Sequence, residues 1–225
     1  MATTTTWKPT RLDLALAVGI AALFPPLAGL LYSHTGAFLP MVLYYGLAWG
    51  LVKVRRGATG YGHPLPKRAP WTFYLNIGVI LASLVCARLS PVIAPTLDWP
   101  GMLLTALIWA PLNAASEQLL WIYLFEAWDL YPQKVKLPYR AIGLLLFAAY
   151  VGAIHTSFWA QFLQTVEPAS LWGTLFVLLT TVSGFLHIVV WRQSRHMVFT
   201  FIPHLLLNLA PIFWTHYSML PYLFR

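Results

Sequence analysis

An all-α, polytopic bundle of about seven transmembrane helices is the fold class that this sequence predicts. Three observations carry it. Apolar residues make up 59% of the 225-residue chain and charged residues only 9%, where a soluble domain holds roughly a quarter charged residues. The apolar residues gather in runs close to the roughly 20 residues that cross a hydrocarbon core as a helix. The basic residues collect in alternate loops between those runs, as the positive-inside rule expects of a multi-pass protein. Trp, Tyr and Phe, 16% of the chain, suit a protein with an aromatic belt at each interface.

In order, residues 1–11 are polar and Thr-rich and read as a short disordered tail. The first span runs from 12 to about 32; Pro25 and Pro26 are expected to kink it, and the backbone groups they free need partners inside the protein. After a tight turn at 33–36 comes a second, short span from 37 to 51 or 52, then a Gly-, Pro- and Arg-rich loop over 53–70. The third span covers 71 to about 93 and the fourth 101–128, with a loop at 94–100 between them. A polar loop at 129–139 leads to the fifth span, 140 to about 163; the sixth is 170–191 and the seventh 197 to about 219. No internal repeat or second domain is visible, so residues 1–225 read as one integral membrane domain.

Alternation fixes an orientation. With the N-terminus in the cytoplasm, Lys8, Arg11, Lys53, Arg55, Arg56, Lys67, Arg68, Lys134, Lys136, Arg140, Arg192 and Arg195 face the same side; of the 14 Lys and Arg only Arg88 and Arg225 fall elsewhere. An odd number of spans then puts the C-terminus outside. The formal charge of +8 is therefore a topology signal and not a nucleic-acid footprint. The single cysteine, Cys86, forbids an intrachain disulfide. The first apolar run lacks a small-residue cleavage site and reads as a retained span.

Chemistry-bearing residues are few. The stretch Ser116-Glu117-Gln118-Leu119-Leu120-Trp121 puts a carboxylate and an amide in mid-span, where a charge-capable group needs a partner or a purpose. His155, His204 and Asn208 sit in later runs. At about 1.5 Å rise per residue, Glu117 lies roughly 17 Å from the cytoplasmic edge, His155 roughly 22 Å, and His204 and Asn208 roughly 11 and 17 Å. All four are expected near the midplane, and His204 and Asn208, four apart, share a helix face. Against this stands the plainer reading in which a membrane His or Asn merely bonds across to a neighbouring helix and Glu117 is a protonated carboxyl on a carbonyl. His187 reads as interfacial; His34, His63, His196 and His216 fall in or near loops; Glu126 and Asp129 read as solvated at the inner edge; Arg88 reads as snorkelling or paired.

The C-terminal third reads Gly184-Phe185-Leu186-His187, then Trp191-Arg192-Gln193-Ser194-Arg195, then Ile202-Pro203-His204-Leu205-Leu206-Leu207-Asn208. This resembles the last block of the CAAX protease and bacteriocin-processing family of intramembrane glutamic proteases, in which a basic turn leads into a helix bearing His-x-x-x-Asn. The Glu117 segment, with Ala110-Pro111 upstream, resembles the family's Glu-Glu-x-x-x-Arg motif, and His155 occupies the place of the His in Phe-x-x-x-His. The likeness covers residues 101–209. It departs from the pattern at Gln118, Ile122 and Val151, which stand where the family has the second Glu, the Arg and the Phe.

The resemblance implies peptide hydrolysis within the membrane, with a membrane-associated peptide or protein as substrate and neither cofactor nor metal. It implies Glu117 as general base on water with help from His155, and His204 and Asn208 as stabilisers of the oxyanion. Two other classes stay open. One is a non-catalytic relative that binds a membrane peptide or serves as a subunit of a complex, which the changes at Gln118 and Ile122 favour. The other is a metal-binding or transport protein using Glu117, His155 and His204 as ligands. His-Glu-x-x-His, Gly-x-Ser-x-Gly and paired membrane aspartates are all missing from the sequence.

Overall fold

The computed structural model describes residues 7–132 and 134–224 and is helical throughout, with no strand among the described residues beyond one antiparallel bridge between Pro91 and Val166. Eight α-helices follow in order: α1 Arg11–Thr35, α2 Phe38–Arg56, α3 Trp71–Leu89, α4 Trp99–Leu104, α5 Ala110–Asp129, α6 Lys136–Ser157, α7 Leu171–Ser194 and α8 Val198–Thr215. A π-helical turn at Thr105–Trp109 joins α4 to α5, and together these three make the expected fourth span. The turn falls directly before Pro111, which lacks the amide hydrogen needed to continue a regular ladder.

The bundle is built around α5. Every residue from Ser116 to Ala127 is buried. A helix with no exposed face is a core helix, and α1, α2, α6, α7 and α8 all pack on it, while α3 packs on α7 and α8. Gly29 lets α1 and α6 approach closely, because a Cβ there would collide with the Ser157 carbonyl. Ser157 also donates to the Pro25 carbonyl at 2.9 Å, and α1 runs unbroken through both prolines.

Five segments are long and apolar enough to cross a membrane: Arg11–Thr35, Trp71–Leu89, Lys136–Gln161, Leu171–Ser194 and Val198–Thr215. The expectation of about seven spans is thus met by composition in five. The other two long helices fall short for a physical reason. α2 ends in Lys53, Arg55 and Arg56, and α5 carries Glu117, Glu126 and Asp129.

The two ends of the bundle differ. At one end α1, α6 and α8 begin and α2, α5 and α7 stop. Arg55 bonds Asp13 at 2.8 Å there, and the loop after α2 folds back so that the Met197 amide reaches the Gly60 carbonyl. The opposite end is stitched chiefly by backbone: Glu167 N–H to Ser90 O, Val92 N–H to Thr165 O and Ala94 N–H to Thr215 O. At that end Asp98 caps α4, and the Ser218 hydroxyl and Gly101 amide hold its carboxyl below the usual carboxylate range.

Several expected boundaries move. Residues 1–6 of the expected tail and the terminal Arg225 lie outside the described residues, but Trp7 stacks on Tyr123 with centroids 5.3 Å apart and so anchors the chain. α3 stops at Leu89 and not near 93. α6 stops at Ser157 and is followed by a tight turn at Trp159–Gln161; Phe158, just before the turn, packs on Tyr32, and Trp159 packs on Tyr44. His155 is therefore in the last turn of its helix and exposed. α8 ends at Thr215, where His216 takes a left-handed φ of 55°.

Candidate active site

α5 presents Asn113, Glu117 and Trp121 at four-residue intervals, which places them one above another on one face. Glu117 is 1% exposed, and both oxygens of its carboxylate are engaged. Asn113 Nδ2 donates to Oε2 at 3.1 Å, Trp159 Nε1 donates to Oε1 at 2.8 Å, and His204 Nε2 lies 3.2 Å from Oε2. Asn113 is itself held by the Tyr45 hydroxyl, which donates to its Oδ1 at 3.0 Å. The His204 ring stacks on Trp121, with centroids 5.2 Å apart and planes 24° from parallel.

The expected site residues are placed unequally. Glu117 and His204 form a direct pair. His155 lies beside Trp121, its ring centroid 6.5 Å from that of the indole, and makes no hydrogen bond to Glu117. Asn208 is half-buried and sends Nδ2 to the Ala110 carbonyl at 3.5 Å. Ala110 lies two turns before Glu117, roughly 10 Å along the helix, so Asn208 sits beside the carboxylate's helix and not on the carboxylate.

Hydrogen bonds assign tautomers. A backbone carbonyl can only accept, so a ring nitrogen bonded to one carries the hydrogen. His155 Nδ1 donates to the Val151 carbonyl at 2.8 Å, and His187 Nδ1 donates to the Ser183 carbonyl at 2.7 Å. When such a ring is neutral, its Nε2 is the unprotonated nitrogen. His204 is the reverse, directing Nε2 at a carboxylate. A carboxylate beside an imidazole, both withdrawn from water, can pass a proton between them. Among the described residues no group of three or more His, Cys, Asp or Glu side chains is placed to hold a metal ion.

Gln118, standing where the resemblance has a second glutamate, donates Nε2 to the Thr200 carbonyl of α8 at 2.8 Å. Ile122, one turn on, is buried among apolar neighbours.

Three sequence readings are corrected. His187 is not interfacial: it is 3% exposed, with its ring centroid 5.9 Å from that of His204. Glu126 and Asp129 are not solvated. Glu126 takes Trp191 Nε1 at 2.8 Å, Arg56 at 3.4 Å and Arg195; Asp129 takes Arg140 at 2.6 Å and Arg192 at 3.6 Å. His196 falls in the loop between α7 and α8, as the sequence suggests, and is buried there, bonding the His63 carbonyl at 2.8 Å. The contributions of Asn113 and Trp159 were also missed. Asn113 carried a usable signal in its four-residue spacing from Glu117; Trp159 carried none, because its approach depends on where α6 stops.

No protein-family model matches the chain, and no curated protein or solved structure matches it.

Proposed function

We propose that the chain is an intramembrane endopeptidase of the glutamic type, a divergent relative of the CAAX protease and bacteriocin-processing family. It hydrolyses a membrane-associated peptide or protein. What carries this reading is the Glu117–His204 pair, a carboxylate on α5, the most buried helix of the bundle, 3.2 Å from an imidazole on α8. In the proposed reaction the Glu117 carboxylate takes a proton from water as the oxygen adds to the scissile carbonyl. His204 Nε2–H steadies the carboxylate, and the Asn208 amide donates to the oxyanion. Glu117 then returns the proton to the leaving nitrogen as the carbon–nitrogen bond breaks. Among the described residues Oε1 accepts only from the Trp159 indole, and it keeps a second lone pair for the water.

In this reading all seven long helices cross the bilayer, with the N-terminus cytoplasmic and the C-terminus outside. The distribution of basic residues between the two ends supports it, as Arg55, Arg56, Arg140, Arg192 and Arg195 all gather where α2, α5 and α7 end. α2 and α5 are shielded from lipid by their neighbours to different degrees, α5 completely over its middle. Cysteines introduced at the exposed Ala58 and Ala169 should label from opposite sides of the membrane, the native Cys86 being buried; labelling from one side would overturn the topology.

A second reading has its own observation. Both oxygens of Glu117 are occupied, one by Trp159 and the other by Asn113 and His204, as in a closed site that binds without turning over. Purified protein mixed with a quenched membrane-anchored peptide separates the two readings. Cleavage by the native chain that Glu117→Gln abolishes supports the protease. Peptide binding without cleavage, unchanged by Glu117→Gln, supports the scaffold.

A further inference from the structure

Three histidines surround Trp121, yet only two of them follow one rule. His155 and His187 each give their Nδ1 hydrogen to the carbonyl four residues earlier on their own helix. For His204 the corresponding carbonyl belongs to Thr200, and Gln118 reaches across from α5 to occupy it. His204 Nδ1 is left buried without a hydrogen-bond partner, while its Nε2 serves Glu117.

A second buried nitrogen without a partner is close by. His187 Nε2 makes no hydrogen bond either, although the Thr200 carbonyl also lies near this ring; with the hydrogen on Nδ1, the neutral ring carries a lone pair there. The two rings lie 5.9 Å apart, and both sit against Trp121, with centroids 6.4 Å away for His187 and 5.2 Å for His204. A small ring rotation or a single bridging water closes that separation. His187 is braced for such a task. The Ser183 hydroxyl, on the same turn of α7, donates to Asn76 Oδ1 of α3 at 2.7 Å, and both residues are buried. Buried polar groups in a membrane helix that do not face lipid point to function.

We propose that His187 is a positioning residue for His204, resting on the acid–base role given above to the Glu117–His204 pair. When His204 is protonated it carries two N–H donors. Nε2–H goes to Glu117, and Nδ1–H goes to the His187 Nε2 lone pair, directly or through one water. Carboxylate, imidazole and a third orienting group then stand in line, the arrangement that acid–base units use to fix a catalytic imidazole. In the structure the Thr200 carbonyl accepts from Gln118 and makes no hydrogen bond with His204 Nδ1. The titratable groups facing the pair are Glu117 from α5 and His155 from α6.

The test uses the full chain in detergent micelles, with ¹⁵N-labelled histidine, as the native protein, His187→Phe and His187→Gln. Phe keeps the ring against Trp121 and removes the acceptor; Gln restores an acceptor oxygen. The His204 Nδ1 resonance should move in His187→Phe and return towards its native position in His187→Gln. On a cleaved peptide, His187→Phe should lower kcat roughly 10- to 100-fold, by analogy with the loss of a partner that orients a metal-ligating histidine, with KM unchanged and the Gln variant recovering most of the loss. A His204 resonance identical in the native protein and His187→Phe overturns the proposal. So does a folded His187→Gln no better than His187→Phe in both resonance and kcat. The resonance arm needs no turnover, so absence of cleavage by the native chain would sink the protease reading while leaving the His187–His204 contact separately decided.

Discussion

α5 carries two buried acidic sites, and their partners differ in kind. Glu126 and Asp129, at the basic end, are held by Arg56, Arg195, Arg140 and Arg192, with Arg56 lying 4.8 Å over the Trp191 ring. Glu117, nine residues earlier, has no arginine; it has an amide, an indole and a histidine. Guanidinium groups stay charged at any working pH, so the lower site has a fixed charge pattern and ties α2, α5, α6 and α7 together. The upper site has a partner whose proton can move. A carboxylate locked by arginines is a structural joint, whereas one facing an imidazole in a dry setting is equipped for acid–base chemistry.

The sharpest way to break this comparison is to remove a carboxylate from the lower site. Glu126→Ala leaves Arg56 buried without its counter-charge and should cost about 3–5 kcal/mol, the usual penalty for halving a buried ion pair. Thermal unfolding in detergent would show it as a large drop in midpoint. An unchanged midpoint would mean that the lower site is not the joint described.

Next in size is Asn208→Ala. If the amide serves the oxyanion, turnover falls roughly 100- to 1000-fold with little change in the unfolding midpoint. If its contact with the Ala110 carbonyl is its whole purpose, turnover persists and stability falls instead. A smaller effect is expected of Gln118→Glu. An ionised glutamate cannot donate to the Thr200 carbonyl, and Ile122 offers it no cation, so the variant should lose about 1–3 kcal/mol and gain no activity. Replacing Ile122 by Arg in the same chain adds a second charge to an apolar setting, and recovery of stability in that double variant would show that the two positions still act as a pair.

Much of the architecture was legible before any coordinates. Apolar runs between basic loops located every long helix, because helices in lipid must satisfy their own backbone and need about 20 apolar residues. Glu117 stands out as the one acid in mid-span; the depth count matches it to Asn208 and sets His204 one turn shallower, whereas the structure pairs it with His204. What was hidden depended on tertiary contacts. Glu126 and Asp129 look solvated until Arg56 from α2 and Arg192 and Arg195 from the far end of α7 are seen to converge on them, and nothing local announces that convergence. His155 was expected deeper within its helix, but α6 stops at Ser157 without a proline or glycine to mark the place; Phe158 and Trp159 leave the helix to fill the core around Tyr32 and Tyr44. His187 was read as interfacial from its place near a span end, and only the fold of α7 against α8 shows it buried beside His204.

The claim that Glu117 and His204 act as one acid–base unit is tested most directly by a double-mutant cycle on turnover of a membrane-anchored peptide. Glu117→Gln, His204→Gln and the double variant are compared with the native chain, each first shown to be folded by its circular dichroism and unfolding midpoint. Groups that act as a unit are strongly non-additive in their effects on rate. Either single change should therefore cost nearly as much in kcat as both together. Losses that simply multiply, or a Glu117→Gln variant that still turns over at the native rate, would contradict it.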